Sequence, residues 1–550
     1  MQRTFYFILT KQKLMNISKH IYIILISVFF LTQTNAQNFQ FQGLIASDTI
    51  WHADTLEITG EVIIDSNVTL IINPGTFIHI NGYYAIWSYG NINAIGTEAD
   101  SIVFTHLDTT MHNDTSTIEG GWHGIRLLPR STQDTSIFKY CKISNGKSVV
   151  PGSWWSIQIP ENQGGNIYGK SFGSIIMSNC AIHNGRVKSD GGGIFLENGE
   201  SVIIEQCDFS YNHAYNLYGG GAFISKVELV DIRDCLFYKN TCYHKDAIGE
   251  GGQGAGIAVQ YSLGYNAIAS IENNRIFNNK SATGSIYECY YHSVIIGNII
   301  CNNYGSGIMN APFDNHALYI NNTIVNNVGS IYSGIITTSS DIELINNIVR
   351  NNYAYPNYPI DQIFYYNGAV PQPIVSYCNV EFGFEGEGNI DSDPLFVNPT
   401  SGIGLAYDAL NADWALLDNS KSINVGTLDT TGLCLPYHDL AGNPRVFGNR
   451  IDIGAYENQH IYVKVNNAPI GESLSIYPNP GTKELYISLT PEMKGYFFDM
   501  FNSQGKIIMH HKLENLNSSF STEKLSSGAY HYRIYNDRKQ VIKNSTWIKF

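Results

Sequence analysis

The stretch Asn273–Asn279 reads "NNRIFNN", and it returns 24 residues later as "GNIICNN" at Gly297–Asn303. It returns again as "NNTIVNN" at Asn321–Asn327 and "NNIVRNN" at Asn346–Asn352. Upstream the same unit is written with cysteine: "SNCAIHN" at Ser178–Asn184, "EQCDFSYN" at Glu205–Asn212 and "RDCLFYKN" at Arg233–Asn240. One position therefore runs through Cys141, Cys180, Cys207, Cys235, Asn274, Asn298, Asn322, Asn347 and Cys378, with gaps of 24 to 39 residues. Two residues after each stands an apolar side chain, from Ile143 and Ile182 to Val349 and Val380. A second half-unit reads "GGNIYG", "GGGIFL", "GGGAFI" and "GAGIAV". Both halves alternate apolar and polar residues, are rich in β-branched side chains and contain no helical period.

A repeat of roughly 24–28 residues holding three short strands predicts one turn of a right-handed parallel β-helix, coils stacking about 4.8 Å apart. Stacking places like on like. Isoleucine columns form the core, and stacked Asn at a bend can bond up and down the file and satisfy turn amides. A β-propeller needs about 40–50 residues per four-stranded blade, which these gaps do not supply. The fold class expected is all-β: this β-helix followed by a small C-terminal β-sandwich.

Composition agrees with that class. The chain has 550 residues, too many for one ordinary domain. Only 15% are charged and the formal net charge is −14, which argues against nucleic-acid binding. Arg3, Lys11, Lys13 and Lys19 precede the apolar run Ile21 to Leu31, and Thr34-Asn35-Ala36 offers a cleavage site before Gln37. Residues 1–36 read as a secretory signal peptide, with Met15 as an alternative start. The run is too short for a spanning helix, which needs about 20 residues, and no other segment is long enough. Nine cysteines are an odd number, and five lie on the repeat file. Their Cβ atoms, stacked in parallel, stand further apart than a disulfide favours, so they read as small buried residues. Cys301 and Cys434 lie off the file, and no pair of Cys or His has zinc-site spacing.

Val68 to Thr105, with its Pro-Gly turn and "AIGTEADSIVF", resembles the opening coils of secreted β-helix proteins. "GNIDSDPLFVNP" and then "LPYHDLAGNPRVFGNRIDIGAYE" (Leu435 to Glu457) resemble the tail of bacterial right-handed parallel β-helix repeat proteins of the pectate-lyase-like superfamily, where it closes the open end of the array. The resemblance spans residues 48–457; it implies fold and leaves activity open. "SLSIYPNPGTKELYISL" (Ser473 to Leu489), Gly505-Lys506 and Leu525 to Tyr530 resemble the sorting domain of the type IX secretion system. That resemblance implies passage through the periplasm, delivery to the outer surface or medium, and removal of the domain during export. The expected organisation is signal peptide 1–36, β-helix with its N-terminal cap 37–400, C-terminal cap region 401–458, linker 459–472 and sorting domain 473–550.

Residues expected to face outward from the first strand of each coil include Tyr168, Phe195, Phe223 and Tyr287. Such an aromatic stripe can stack on sugar rings. The alternative is that the loops fold over it as a second small core. Those loops are long in the N-terminal half and bring Trp154, Trp155, Arg186, Lys188, Asp190, His244, Lys245 and Asp246 to one edge. Arg186 or Lys188 could neutralise a uronate carboxylate, and His213, His244 or Lys245 could serve as base. Asp190, Asp246 and Glu250 could hold Ca2+ or supply an inverting hydrolase's carboxylates. Each charged residue is equally readable as a solvated loop position. Polygalacturonase signatures and a tight calcium cluster are absent from the sequence. Two functions stay open: an exported protein that binds polysaccharide along the coil face, expected to be a monomer, and a secreted polysaccharide lyase or hydrolase acting on uronate glycans.

Overall fold

In the computed structural model the described residues are 38–129, 134–152, 159–215, 218–242, 252–261, 267–311, 316–329, 334–338, 341–354, 361–365, 372–448, 450–459 and 474–550. The proposed signal peptide and, after Gln459, the proposed linker lie outside them. The chain divides into two units, Met1–Gln459 and His460–Phe550.

Among the described residues, 33 strands of the first unit join in one parallel sheet that winds on itself. One coil shows the plan: Ile167–Lys170, Ser174–Ser178 and Ala181–His183 follow one another, and each pairs in register with its counterpart one coil later. In two coils the first and second strands run together, as Ile194–Glu205 and Ala222–Arg233. Ile167, Ile194, Ala222, Ile257, Ile286 and Ile308 stack along the interior, all sealed from solvent.

The Cys/Asn file falls at the bend between the second and third strands, as its spacing requires. Asn298 shows the bonding: its backbone N–H and its side-chain Nδ2–H both donate to Asn322 Oδ1, at 3.0 and 2.9 Å, while Nδ2 also donates back to Ile271 O at 2.8 Å. The pattern repeats from Asn274 to Asn347. In the cysteine half a thiol sulfur replaces the amide oxygen: Cys180 N–H points to Cys207 Sγ, and Cys207 N–H to Cys235 Sγ, both at 3.4 Å. No cysteine is in a disulfide. A second, parallel file follows the third strand: Asn212, Asn240, Asn279, Asn303, Asn327 and Asn352, closed by Gln362.

The residue before each position of the first file sits in the left-handed region, as at Asn179, Gln206, Asp234, Asn273, Asn321 and Asn346, with φ between 51° and 57°. Asn and Asp tolerate that conformation, and it turns their side chains out of the bend.

Past the last full coil, Asn389 Oδ1 takes the N–H of Cys378 and Phe384 packs on the core, so the array's end is closed. The following segment returns along the flank of earlier coils. Ala409, Trp414, Leu416, Ile453 and Ala455 pack on Phe277, Ile299, Cys301, Val325 and Ile348. Arg445, fully buried, fastens this return: it donates to Ala455 O and Gly454 O and pairs with Glu457 at 3.1 Å.

The second unit packs a three-stranded antiparallel sheet against a four-stranded one around Leu485, Ile487, Phe498, Met500, Ile534 and Trp547, the expected sandwich.

Candidate functional site

The expected aromatic stripe exists in register but not in solvent. Tyr168 pairs with Phe195 and Phe195 with Phe223, the first two rings stacked 5.3 Å apart. Tyr168, Phe195, Phe223 and Tyr287 are only 1–5% exposed. Ala258 leaves a gap between the last two, and Tyr218 from the preceding loop fills it, its ring 5.1 Å from Phe223 and 5.5 Å from Tyr287. At the other end Arg126 is fully buried, donating to Gln163 O, Gly164 O and Ser148 Oγ, with its guanidinium 5.8 Å from the Tyr168 ring. The stripe is therefore a satellite core, and the expectation of an open stacking floor is corrected. Covering four large rings recovers more free energy than leaving them wet.

Asp190 is likewise fully buried. It accepts the Tyr218 N–H at 2.9 Å and the Ser189 hydroxyl at 3.0 Å, so it positions the covering loop. Trp154, Trp155, His244, Lys245, Asp246 and Glu250 lie outside the described residues. Among the described residues, no three His, Cys, Asp or Glu side chains gather as a metal site.

Arg186 and Lys188 belong to a feature the sequence did not announce. A fourth short strand follows the second Asn file, and five of them form a separate parallel sheet that aligns Lys147, Arg186, His213, Thr241 and Lys280. Lys147 turns inward and donates to Met111 O and Glu119 O, tying down the 106–121 loop. The remaining four are half-buried. Arg186 Nε donates to Asn113 Oδ1 at 3.1 Å, and Lys188 Nζ to Val150 O at 3.2 Å. The His213 ring lies 4.0 Å from that of Tyr215. Burial, then Arg186 and Lys280, push the His213 pKa down to about 3, so the imidazole is neutral at pH 7 and a weak base. Among its described residues the row carries cations, and its imidazole is too weak a base for proton abstraction.

On the opposite side of the second Asn file the outward residues of the third strand form two files. One runs Lys142, Ala181, Asp208, Leu236, Arg275, Ile299 and Thr323; the other runs Ser144, His183, Ser210, Tyr238, Phe277, Cys301 and Val325. The C-terminal return covers the later coils. The earlier coils stay open as a groove of about 510 Å³ lined by Glu98, Lys142, Asn179, Gln206, Asp208 and Asp234 among others. Beside it the Ser210 hydroxyl lies 3.0 Å from His183 Nδ1 and donates to Asp208 Oδ1. Burial holds His183 below its ordinary pKa, with Asp208 opposing and Lys142 adding to the effect.

Residues 106–288 match the family model of the right handed beta helix region, and residues 475–548 that of the secretion system C-terminal sorting domain. This is a right-handed parallel β-helix protein with a type IX sorting domain. A comparison with curated proteins finds no match. Among solved structures, the crystal structure of pectate lyase Pel9A is similar at 14% identity and a TM-score of 0.28, over 70% of this chain and 88% of that one.

In the β-helix protein the second Asn file is legible in the final Asn of each "NN" and "YKN" ending. The residue after the Cys/Asn position is charged at Lys142 and Asp208 in the early coils and apolar at Ile299 and Ile348 in the later ones. The sorting domain sends the protein through the periplasm to the outer surface or medium.

Proposed function

We propose that this exported protein binds an acidic polysaccharide along the row Arg186, His213, Thr241 and Lys280, with Lys188 beside it. The observation that supports the reading is the register of the five-stranded sheet, which repeats a side chain once per coil. From Arg186 to Lys280 the row advances three coils, about 14 Å at the usual strand spacing. The two cations of the row stand at its ends, with the neutral His213 and Thr241 between them, so they would meet carboxylates about three sugars apart on an extended uronate chain that advances by about one such spacing per sugar. On a chain of net charge −14 a cationic row is a local feature, and it suits a partner that brings the opposite charge. Tyr215, against His213, adds an aromatic surface to the same row.

The test is affinity gel electrophoresis in polygalacturonate and in a neutral β-glucan. Arg186→Ala should weaken retention by polygalacturonate roughly threefold or more, leave neutral retention unchanged, and lose its effect in high salt. Equal binding of the neutral polymer, or no effect of the substitution, would overturn the proposal. The same incubations, read for new unsaturated or reducing ends, separate binding from lyase or hydrolase action.

A further inference from the structure

The open groove is one half of a face whose other half already holds a ligand, the protein's own chain. Where the C-terminal return crosses the later coils, the left-handed Asn side chains that border the third strand bond its main chain. Asn273 Nδ2 donates to His438 O, Asn321 Nδ2 to Asp452 O and Gly454 O, and Asn278 Nδ2 to Tyr407 O. Asn278 Oδ1 and Asn346 Oδ1 accept the N–H groups of Ala409 and Thr427. These groups recognise peptide units, not side chains, so they suit any extended polypeptide laid across the bends.

The same positions continue into the open coils as Asn179, Gln206 and Asp234, in the same left-handed conformation, with φ of 53°, 53° and 56°. Here they line the groove. What changes is the floor. Asp208 enters the floor between Ala181 and Leu236, and Glu98 and Asp234 add two carboxylates against the one cation of Lys142. Asp234 and Glu98 are exposed and Gln206 is exposed beside them. The backbone-reading border is retained, and the floor gains a net negative charge.

We propose that this groove docks an extended, basic polypeptide segment of another protein, continuing the track that the C-terminal return occupies. The border amides would hold the visiting main chain, and Asp208, Asp234 and Glu98 its Lys or Arg side chains. The site is separate from the cationic row and does not depend on it.

Fluorescence anisotropy of a labelled (Lys-Gly)6 peptide with the full chain tests this, with (Glu-Gly)6 and a chitosan hexamer as competitors. A chain of net charge −14 draws cationic peptides to many places, so the groove substitutions decide. Asp208→Asn with Asp234→Asn should weaken binding roughly tenfold, and Asn keeps the left-handed turn at position 234. Lys142→Gln should strengthen binding roughly twofold, an outcome that mere damage to the fold cannot produce. The proposal is overturned if both variants bind as the parent does, if (Glu-Gly)6 competes equally, or if the chitosan hexamer displaces the peptide at lower concentration than unlabelled (Lys-Gly)6, which would make the groove an amino-sugar site.

Discussion

The third-strand face of the early coils and that of the late coils share one backbone, one register and one set of bends. Early, the outward residues are Lys142, Ser144, His183, Asp208 and Ser210, and the face is open. Late, they are Phe277, Ile299, Cys301, Val325 and Ile348, with Arg275 and Thr323 among them, and the C-terminal return lies over them. The strands do not decide between these states, since in a β-helix the inward residues carry the coil and the outward ones are left to carry something else. Two side chains per coil turn a solvated wall into an internal interface.

The hardest blow to the covered half is Arg445→Ala. It leaves Glu457 buried against Asp452 and Asp439 with no cation, and breaking such a pair costs about 3–5 kcal/mol. Urea unfolding should show a large loss of stability, and a dye that reports apolar surface should bind to the exposed late coils. No new dye binding would mean that the return is held by other contacts.

Next in size is Asn322→Leu, which strands the N–H of Asn298 and the carbonyl of Ile295 inside the late coils. The loss expected is about 1–3 kcal/mol. Cys207→Ala, at the matching place in the early coils, removes only the weak sulfur acceptor of the Cys180 N–H and a small volume, and should cost about 1 kcal/mol. Equal losses would erase the distinction between the two halves of the file.

The late coils should carry a pH dependence opposite in sign to that of the half-buried early-coil histidines, whose depressed pKa makes stability rise with pH. Glu288 is sealed inside the late coils, and its carboxylate accepts from Ser293 Oγ at 2.7 Å, Asn310 Nδ2 at 2.5 Å and Tyr319 O–H at 2.6 Å. Burial raises its pKa above the ordinary 4.5, and these hydrogen bonds only partly offset the rise. The folded state therefore binds the proton more tightly than the unfolded one. Its contribution is fully present below the ordinary pKa and is lost as pH climbs through the raised one, by up to about 1.4 kcal/mol per pH unit. Thermal midpoints measured from pH 4 upward should fall, and Glu288→Gln should flatten that slope.

The smallest effect is on binding. Arg186→Ala, on the half-exposed row, should shift acidic-polymer affinity by about 1 kcal/mol or less at low salt and leave the thermal midpoint in place.

The Cys/Asn file was readable because it repeats, and repetition turns a spacing into a position. The aromatic files of the early coils were readable as to strand and facing, but not as to exposure. Tyr218, which covers them, comes from a loop that follows no period, and its placement depends on Asp190 taking a backbone N–H from that loop. The C-terminal return was read as closing the array's end. Its course along the flank depends on pairs such as Asn273 with His438, whose separation of 165 residues leaves no local signature. The five-stranded sheet escaped because each strand is two residues long, too short to carry alternation.

The return carries one more consequence, for the order in which the chain can be finished. A chain made from its N-terminus can complete the early coils one at a time, each leaving a mostly polar third-strand face that needs no later segment to cover it. The late coils cannot end that way. Phe277, Ile299, Val325 and Ile348 are all synthesised before Trp414, Leu416, Ile453 and Ala455, so every unfinished molecule passes through a stage with a greasy flank and nothing to cover it. A nascent chain halted near residue 390 would present that flank to its neighbours, and truncation there should yield an aggregating protein, whereas one cut back before Tyr238 would lose the liability along with the coils that carry it.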